Sequence, residues 1–124
     1  MLEIDIRNYL LSHESLKEKI GSRLYPGWIP ENATMPSVAF LEVSGVRHHD
    51  IDVAYPRYQF SVFSPRYLEA KEVTAEIRNI LQRFKGKMGD SNIIQVAFQN
   101  EYETYEQNTK LYHIAMDFKF IFWE

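Results

Sequence analysis

The middle of the chain alternates between large apolar residues and polar or smaller ones. Tyr58, Phe60 and Val62 are separated by Gln59 and Ser61. A period of two residues is typical of a strand that buries one face and leaves the other partly exposed. We therefore predict a central strand over residues 58–63, and the other elements are placed around it.

The segment after this strand has the spacing of an amphipathic helix. Its apolar residues recur every three or four positions and share one face: Leu68, Ala70, Val73, Ile77, Ile80, Leu81 and Phe84. Ser64 suits a helix N-cap, Pro65 suits the first helical position, and Gly86 is typical of a helix end. We predict a long helix from Pro65 to Phe84 that covers a sheet.

The remaining elements follow from the same two periodicities. Helical spacing predicts a helix over residues 2–11 and a short helical turn around Leu16 and Ile20, closed by Gly21. An extended segment is predicted at 23–26, loops or turns at 27–36 and 86–92, strands at 38–46, 93–102 and 111–123, and a polar connection at 103–109. The order α-β-β-α-β-β, with short connections inside each strand pair, predicts an α+β fold. Its sheet has four mainly antiparallel strands, with the helices packed on one face.

Composition narrows the class of protein. A length of 124 residues predicts one domain over residues 1–124, and 45% hydrophobic with 15% aromatic residues excludes disorder. A net charge of −3 provides no basic field for nucleic acid, and no apolar run is long enough for a signal peptide or membrane span. The absence of cysteine excludes disulfides and thiolate sites and fits assembly in a reducing, intracellular compartment.

The connection before the central strand contains residue types that bind metals. They are His48, His49, Asp50 and Asp52, and Arg47 precedes them. A metal site needs several groups converging at about 2.0–2.2 Å, whereas adjacent side chains on an extended chain point in opposite directions. The pattern favours a solvated loop, and we predict no metal and no cofactor. The same five residues are candidates for a protein interface.

Two tyrosines beside the predicted polar connection are further candidates for an interface. Tyr102 and Tyr105 stand among Glu101, Glu103 and Glu106, and tyrosine is enriched in interface cores. The alternative for the tyrosines is packing at a sheet edge, and the glutamates are predicted to be solvated charges. The chain has no Ser/His/Asp set at a recognisable spacing and no glycine-rich phosphate loop. The residues therefore predict no enzymatic activity.

Several short motifs occur in a recognisable order. They are Leu10-Leu11, Leu16, residues 20–26 (IGSRLYP), Met35-Pro36 ahead of a strand, and a strand with a polar stop at 58–64 followed by Pro65. Over nearly the whole chain, this order resembles the tail-completion family of phages with long non-contractile tails. Its members are the tail terminator, or head–tail joining, proteins of phages and prophages. Ser37 is a departure, since an aromatic residue is more usual there in the family.

The resemblance implies a mechanical role without a catalytic motif. Such proteins form a ring, commonly of six subunits, on the last ring of the tail tube, where the ring ends tube growth and faces the neck of the filled head. The implied partners are other copies of the chain, the major tail tube protein and a neck or head-completion protein, with no sequence-specific nucleic acid and no membrane. The implied location is the host cytoplasm during assembly and then the tail–neck junction of the virion.

Two other classes of function stay open from the residues alone. A ferredoxin-like ligand-binding or regulatory module predicts an enclosed pocket between helices and sheet. A metal-dependent enzyme would use His48, His49, Asp50 and Asp52 and would bind metal stoichiometrically.

Overall fold

The computed structural model of the protein describes residues 1–48 and 50–124. Within these residues, the helices are α1 (Leu2–Leu11), α2 (Glu14–Ile20) and α3 (Tyr67–Leu81). The strands are β1 (Leu24–Pro26), β2 (Ser37–Ser44), β3 (Val53–Ala54), β4 (Arg57–Ser64), β5 (Gly86–Met88), β6 (Ser91–Glu106) and β7 (Leu111–Trp123). The predicted helix over residues 2–11 and the predicted strand over residues 111–123 are confirmed.

The strands form one sheet in the order β1-β2-β4-β7-β6-β5, and β3 pairs with the end of β7. The β2–β4, β4–β7 and β6–β7 pairs are antiparallel, as the short connections predict, whereas β1 lies parallel to β2. β7 is paired with β4 from Tyr112 to Lys119 and with β6 from Leu111 to Trp123. It is therefore an interior strand that holds the two halves of the sheet together.

The prediction of a four-stranded sheet is correct for the long strands and wrong for the whole sheet. β1, β3 and β5 contain only two or three residues each, too few for an alternating pattern to show. The extended segment at 23–26 becomes β1, and the predicted turn at 86–92 is a hairpin between β5 and β6. The order α-β-β-α-β-β holds for the long elements, with two helices in place of the first.

The start of α3 differs from the prediction. The helix begins at Tyr67 with Arg66 as its N-cap, so Pro65 does not occupy the first helical position. Ser64 ends β4, where its hydroxyl accepts a 3.1 Å hydrogen bond from the Arg66 N–H and donates a 2.7 Å bond to Glu69. Ser64 thus stabilises the turn that leads into the helix, because its short side chain reaches the backbone there before the helix starts.

The end of α3 also differs, since the helix stops at Leu81 and not at Phe84. Arg83 has a positive φ of 65°. Its N–H donates to the Val96 carbonyl at 3.1 Å, and the Val96 N–H donates to the Phe84 carbonyl at 3.0 Å. Pairing with β6 replaces the last helical turn, while Phe84 still packs against the core. Gly86, predicted as a helix stop, is the first residue of β5.

β6 is longer than its apolar alternation predicts. Residues 103–106, predicted as the start of a polar connection, continue the strand and pair with β7 as far as Glu106 and Leu111. The segment is held in the sheet by its backbone ladder with β7, and α3 supplies a positive charge beside it. Lys71 of α3 donates a 2.7 Å hydrogen bond to Glu103.

The hydrophobic core lies between the helices and one face of the sheet. Tyr58, Phe60 and Val62 of β4 are at most 1% exposed, as their alternation predicts. Val73 and Ile77 of α3 are fully buried in the same cluster. The helices therefore cover this face only, and the other face of the long strands is available for other contacts.

Candidate protein interface

The helix-free face of the sheet is partly open. Gln59, Ser61 and Phe63 of β4 point to this face, because they alternate with the buried positions. Ser61 lies between Ala39 of β2 and Ala115 of β7 in the ladders. These three small side chains form a shallow floor across the centre of the face.

An apolar groove of about 390 Å³ lies above this floor. Part of its lining comes from the loop after β1, and part comes from the β6–β7 hairpin. Its apolar lining includes Trp28, Ile29, Met35, Leu41, Phe63 and Leu111. Trp28 is 82% exposed, so a large aromatic side chain presents its apolar surface to solvent. Exposed apolar patches of this kind are typical of interaction surfaces.

Tyr102 stands on the same face, outside the groove. It pairs with Ala115 in the β6–β7 ladder, and its hydroxyl accepts a 3.2 Å hydrogen bond from Gln59. Gln59 also donates to Asp117 at 3.1 Å. This polar row orients the tyrosine, whose residue is 46% exposed.

His113 is the titratable group next to the groove. Its ring stacks on Phe63 with 4.3 Å between the ring centroids. Burial lowers the pKa of His113, and the Glu106 carboxylate, 3.8 Å from Nδ1, opposes that shift. Nε2 is buried without a hydrogen-bond partner among the described residues. The packing around this imidazole therefore favours its neutral form.

Tyr105 lies on the helix side of β6. Its ring packs on Tyr112, which packs in turn on Tyr67 of α3, at centroid distances of 4.8 and 5.4 Å. Lys71 and Tyr67 both donate hydrogen bonds to Glu103. These bonds lower the pKa of the Glu103 carboxyl, and the bond from Lys71 has the larger effect. Tyr105 thus packs at the sheet edge and remains 44% exposed.

The 45–54 connection is held against the end of the chain. Arg47 forms a backbone bridge with Ala54, and its Nη2 lies 2.9 Å from Glu124 Oε2. The Asp52 carbonyl accepts a 2.9 Å hydrogen bond from the Glu124 N–H. These contacts position Arg47 and Asp52 beside the C-terminal end of β7.

His48 is bonded to the backbone of its own connection. The His48 N–H donates to the Val53 carbonyl at 2.9 Å, and the Asp50 N–H donates to His48 Nδ1 at 3.2 Å. His49 lies outside the described residues. In the part of the chain that the structure describes, no group of three or more His, Asp and Glu residues is arranged to hold a metal ion.

The predicted interface residues are therefore divided between two surfaces. The first, the hairpin end, consists of Tyr105, Leu111 and the apolar groove. The second, the Arg47 end, consists of the connection at 45–48 and 50–54 with Trp123 and Glu124. β7 separates the two surfaces by about 40 Å at about 3.3 Å per residue. Tyr102 lies between them on the helix-free face.

The groove was not predicted from the sequence. Its available signal was Trp28, a large aromatic residue in a loop that is otherwise rich in glycine and proline. Loop composition does not reveal which face of a sheet the loop will border, so the signal alone did not identify the groove.

The described surfaces expose apolar and aromatic side chains, a feature typical of interaction surfaces. None of the described helices is long and apolar enough to cross a membrane. The family model described as "Tail completion protein gp17" matches residues 4–122, and the chain belongs to this family. It is a structural protein of a phage-type tail and a component of the virion, as the resemblance in its sequence predicts.

A solved structure supports the fold. A chain from the "Virion of native gene transfer agent (GTA) particle" superposes with a TM-score of 0.79 at 14% sequence identity, covering 96% of this chain and 92% of that chain. At this identity the likeness establishes the fold alone. No curated protein matches the chain.

Proposed function

We propose that the protein is a tail terminator. Copies of the chain, commonly six, form a ring on the last ring of the tail tube, where they stop tube growth. The opposite side of the ring presents a surface to a neck or head-completion protein. Assembly takes place in the host cytoplasm, and residues 1–124 act as one structural unit.

The observation that carries this proposal is the position of two different exposed surfaces at opposite ends of β7. A terminating ring contacts the tube on one side and the neck on the other, so each subunit needs two separate surfaces along the ring axis. The hairpin end supplies mainly apolar and aromatic side chains, whereas the Arg47 end combines charged side chains with the exposed Val46, Ile51 and Trp123. Membership of the tail completion family over residues 4–122 supports the same role.

The proposed role requires no bond-breaking chemistry. The protein acts through its shape and its contacts, without a cofactor or a metal. Its net charge of −3 limits non-specific attraction between the ring and DNA that passes through it.

The position of the groove does not favour a ferredoxin-like ligand-binding module. That function predicts an enclosed pocket between helices and sheet, where Ile77, Phe60 and Phe118 are fully buried against one another in the core cluster. The groove lies on the opposite face and is open to solvent. An open apolar groove suits a protein partner better than a small ligand that must be enclosed.

Electron microscopy of purified protein mixed with tail tubes tests the proposal. Rings at one end of the tubes are expected, together with tubes that no longer elongate when more tube protein is added. Tubes incubated without the protein are the control. Tubes that never carry the protein at an end, and that elongate equally in its presence, would overturn the proposal.

A further inference from the structure

One edge of the sheet is unpaired over much of its length. β5 pairs with β6 only at residues 91–93, and the segment after α3 adds backbone bonds at Val96. In the described part of the chain, no strand pairs with this side of residues 97–106, which we call the β6 free edge. After a bulge between Phe98 and Asn100 its register is regular. At about 3.3 Å per residue, roughly 30 Å of backbone faces outward.

The β6 free edge contains neither of two residues, lysine and proline, that commonly protect exposed strands. Natural edges are often guarded by lysine, proline or unpaired charge, and residues 97–106 contain neither lysine nor proline. Its inward glutamates are compensated from within the subunit: Lys71 lies 2.7 Å from Glu103, and Arg78 lies 3.5 Å from Glu101. The edge is therefore open to another strand without strong charge repulsion.

The opposite edge of the sheet also has an unpaired segment. β1 pairs with β2 at residues 38–40, and a 2.8 Å bond from the Gly27 N–H to the Phe40 carbonyl is the last one on that side in the described residues. Residues 41–44 form the β2 free edge; Leu41, Glu42 and Ser44 pair with β4 alone among the described strands, and Val43 lies in a bulge. Leu41 and Val43 are exposed there.

We propose that the β6 free edge of one copy pairs with the β2 free edge of the next copy, so that one sheet continues through neighbouring subunits. This inference rests on the proposed ring. The two edges differ and lie on opposite sides of one sheet, as a head-to-tail interface requires, and such an interface forms a ring when the rotation between subunits closes. A second copy is favoured over another partner because a single chain supplies both edges, and a closed ring leaves neither of them exposed.

The side chains beside the two edges suit this pairing. Tyr102 lies on the helix-free face in register with Ala115, and Leu41 lies on the same face in register with Gln59. When the edges pair, an aromatic and an aliphatic side chain come onto the same face of neighbouring strands. Such cross-strand pairs stabilise sheets.

Cysteine cross-linking tests the pairing, because the natural chain contains no cysteine. Asn100→Cys, Tyr102→Cys and Thr104→Cys sample the β6 free edge, and Leu41→Cys samples the β2 free edge. Each β6 variant is mixed with Leu41→Cys, and the mixture is oxidised both as concentrated protein and on tail tubes. At least one mixture is expected to give about tenfold more disulfide-linked dimer than either variant alone. Equal dimer formation by a single variant would overturn the head-to-tail pairing.

A charge variant provides a second test. Tyr102→Lys places a protective residue on the β6 free edge, whereas Asn8→Lys adds the same charge on the exposed side of α1. Both are expected to fold with unchanged circular dichroism, but only Tyr102→Lys should lower ring formation, by about tenfold. Equal ring formation by the two variants would overturn the edge pairing. If the wild-type protein binds tube ends but the cysteine variants give no mixed dimers, only the edge pairing is overturned. If the wild-type protein does not bind tube ends, the proposed function is overturned.

Discussion

Phe63 of β4 stacks on His113 of β7 across neighbouring strands, with ring planes 20° apart. The contact lies on the helix-free face, beside the apolar groove. It couples the protonation of one imidazole to the packing of the surface that we assign to the hairpin end. Burial lowers the pKa of His113 below its ordinary value of 6.5.

Acidification should lower the free energy of unfolding through this residue. Folding lowers the pKa of His113, so the unfolded chain takes up the proton first as the pH falls below about 6.5. The free energy of unfolding therefore decreases with falling pH, and the decrease levels off below the pKa of the folded state. His113→Phe keeps an aromatic contact with Phe63 but cannot titrate. Urea denaturation at about pH 7.5 and about pH 5.5 should show a smaller loss in the variant than in the wild type. The same loss in both proteins would contradict the assignment.

Truncation of the core should destabilise the protein strongly. Ile77 and Phe118 are fully buried, so Ile77→Ala is expected to cost about 2–5 kcal/mol and Phe118→Ala about 3–5 kcal/mol. Leu68 is on the same helix as Ile77 but is 71% exposed, and Leu68→Ala should change stability by less than about 0.5 kcal/mol. Equal costs for Ile77→Ala and Leu68→Ala in chemical denaturation would show that the core assignment is wrong.

Gly89 should tolerate a side chain less well than Gly27. Both residues have positive φ, but a Cβ at Gly89 would overlap Oδ1 and Cγ of Asp5, whereas a Cβ at Gly27 would have no atom within 4 Å. Each substitution by alanine carries about 1–2 kcal/mol of backbone strain, and Gly89→Ala should add a steric cost at Asp5. Asp5 also accepts a 2.6 Å hydrogen bond from Ser91, which limits its movement. Thermal denaturation should rank Gly89→Ala below Gly27→Ala, and the reverse order would rule out this contact.

Removal of Trp28 should impair assembly without affecting the fold. The residue is mostly exposed, so Trp28→Ala should change stability by less than about 0.5 kcal/mol. If the groove contacts the tail tube, the loss of an exposed aromatic anchor should weaken tube binding about tenfold or more. Co-sedimentation with tail tubes measures this, and Leu68→Ala is the matched control for loss of an exposed apolar side chain. Unchanged tube binding by Trp28→Ala would show that the groove does not contact the tail tube.

Arg47→Ala should leave the protein folded and reduce head joining. The ion pair with Glu124 is mostly exposed on the arginine side, and exposed pairs contribute about 0–1 kcal/mol. Complementation of a phage or prophage that lacks the gene would count the heads joined to tails, with Lys85→Ala as a control for loss of an exposed positive charge. A large drop in melting temperature for Arg47→Ala would instead assign the residue to structure.

The long elements were predictable because buried and exposed positions recur along them at a regular spacing. Tyr58, Phe60 and Val62 alternate, and Val73 and Ile77 recur at helical spacing, so each pattern carries its own evidence of a buried face. Short strands such as β1 and β5 contain too few residues to form a pattern. The polar end of β6 is a strand because residues 103–106 pair with residues 111–114 of β7, and apolar alternation in the sequence does not reveal this pairing. Lys71, which is distant in sequence, adds a hydrogen bond to Glu103.

The candidate surfaces were only partly predictable for the same reason. The sequence identified Tyr102, Tyr105 and Arg47 by residue type and by their place in polar segments. It did not indicate that the tyrosines lie on opposite faces of β6, since residues 103–109 were predicted as a polar connection and Tyr105 was therefore not assigned to a strand. Nor did it indicate that the loop containing Trp28 lies on the helix-free face, because the position of that loop depends on the order of strands in the sheet.

β7 has neighbours on both sides for most of its length, so it resists bending and stretching more than a peripheral strand does. In any assembly that makes contacts at both ends of β7, the distance between those contacts is fixed by the length of β7. The height of such a ring would then be set by the number of residues in one strand and not by the reach of its loops. Adding a pair of residues to β7 and its partners would lengthen the subunit along the tail axis while preserving which side chains face the core.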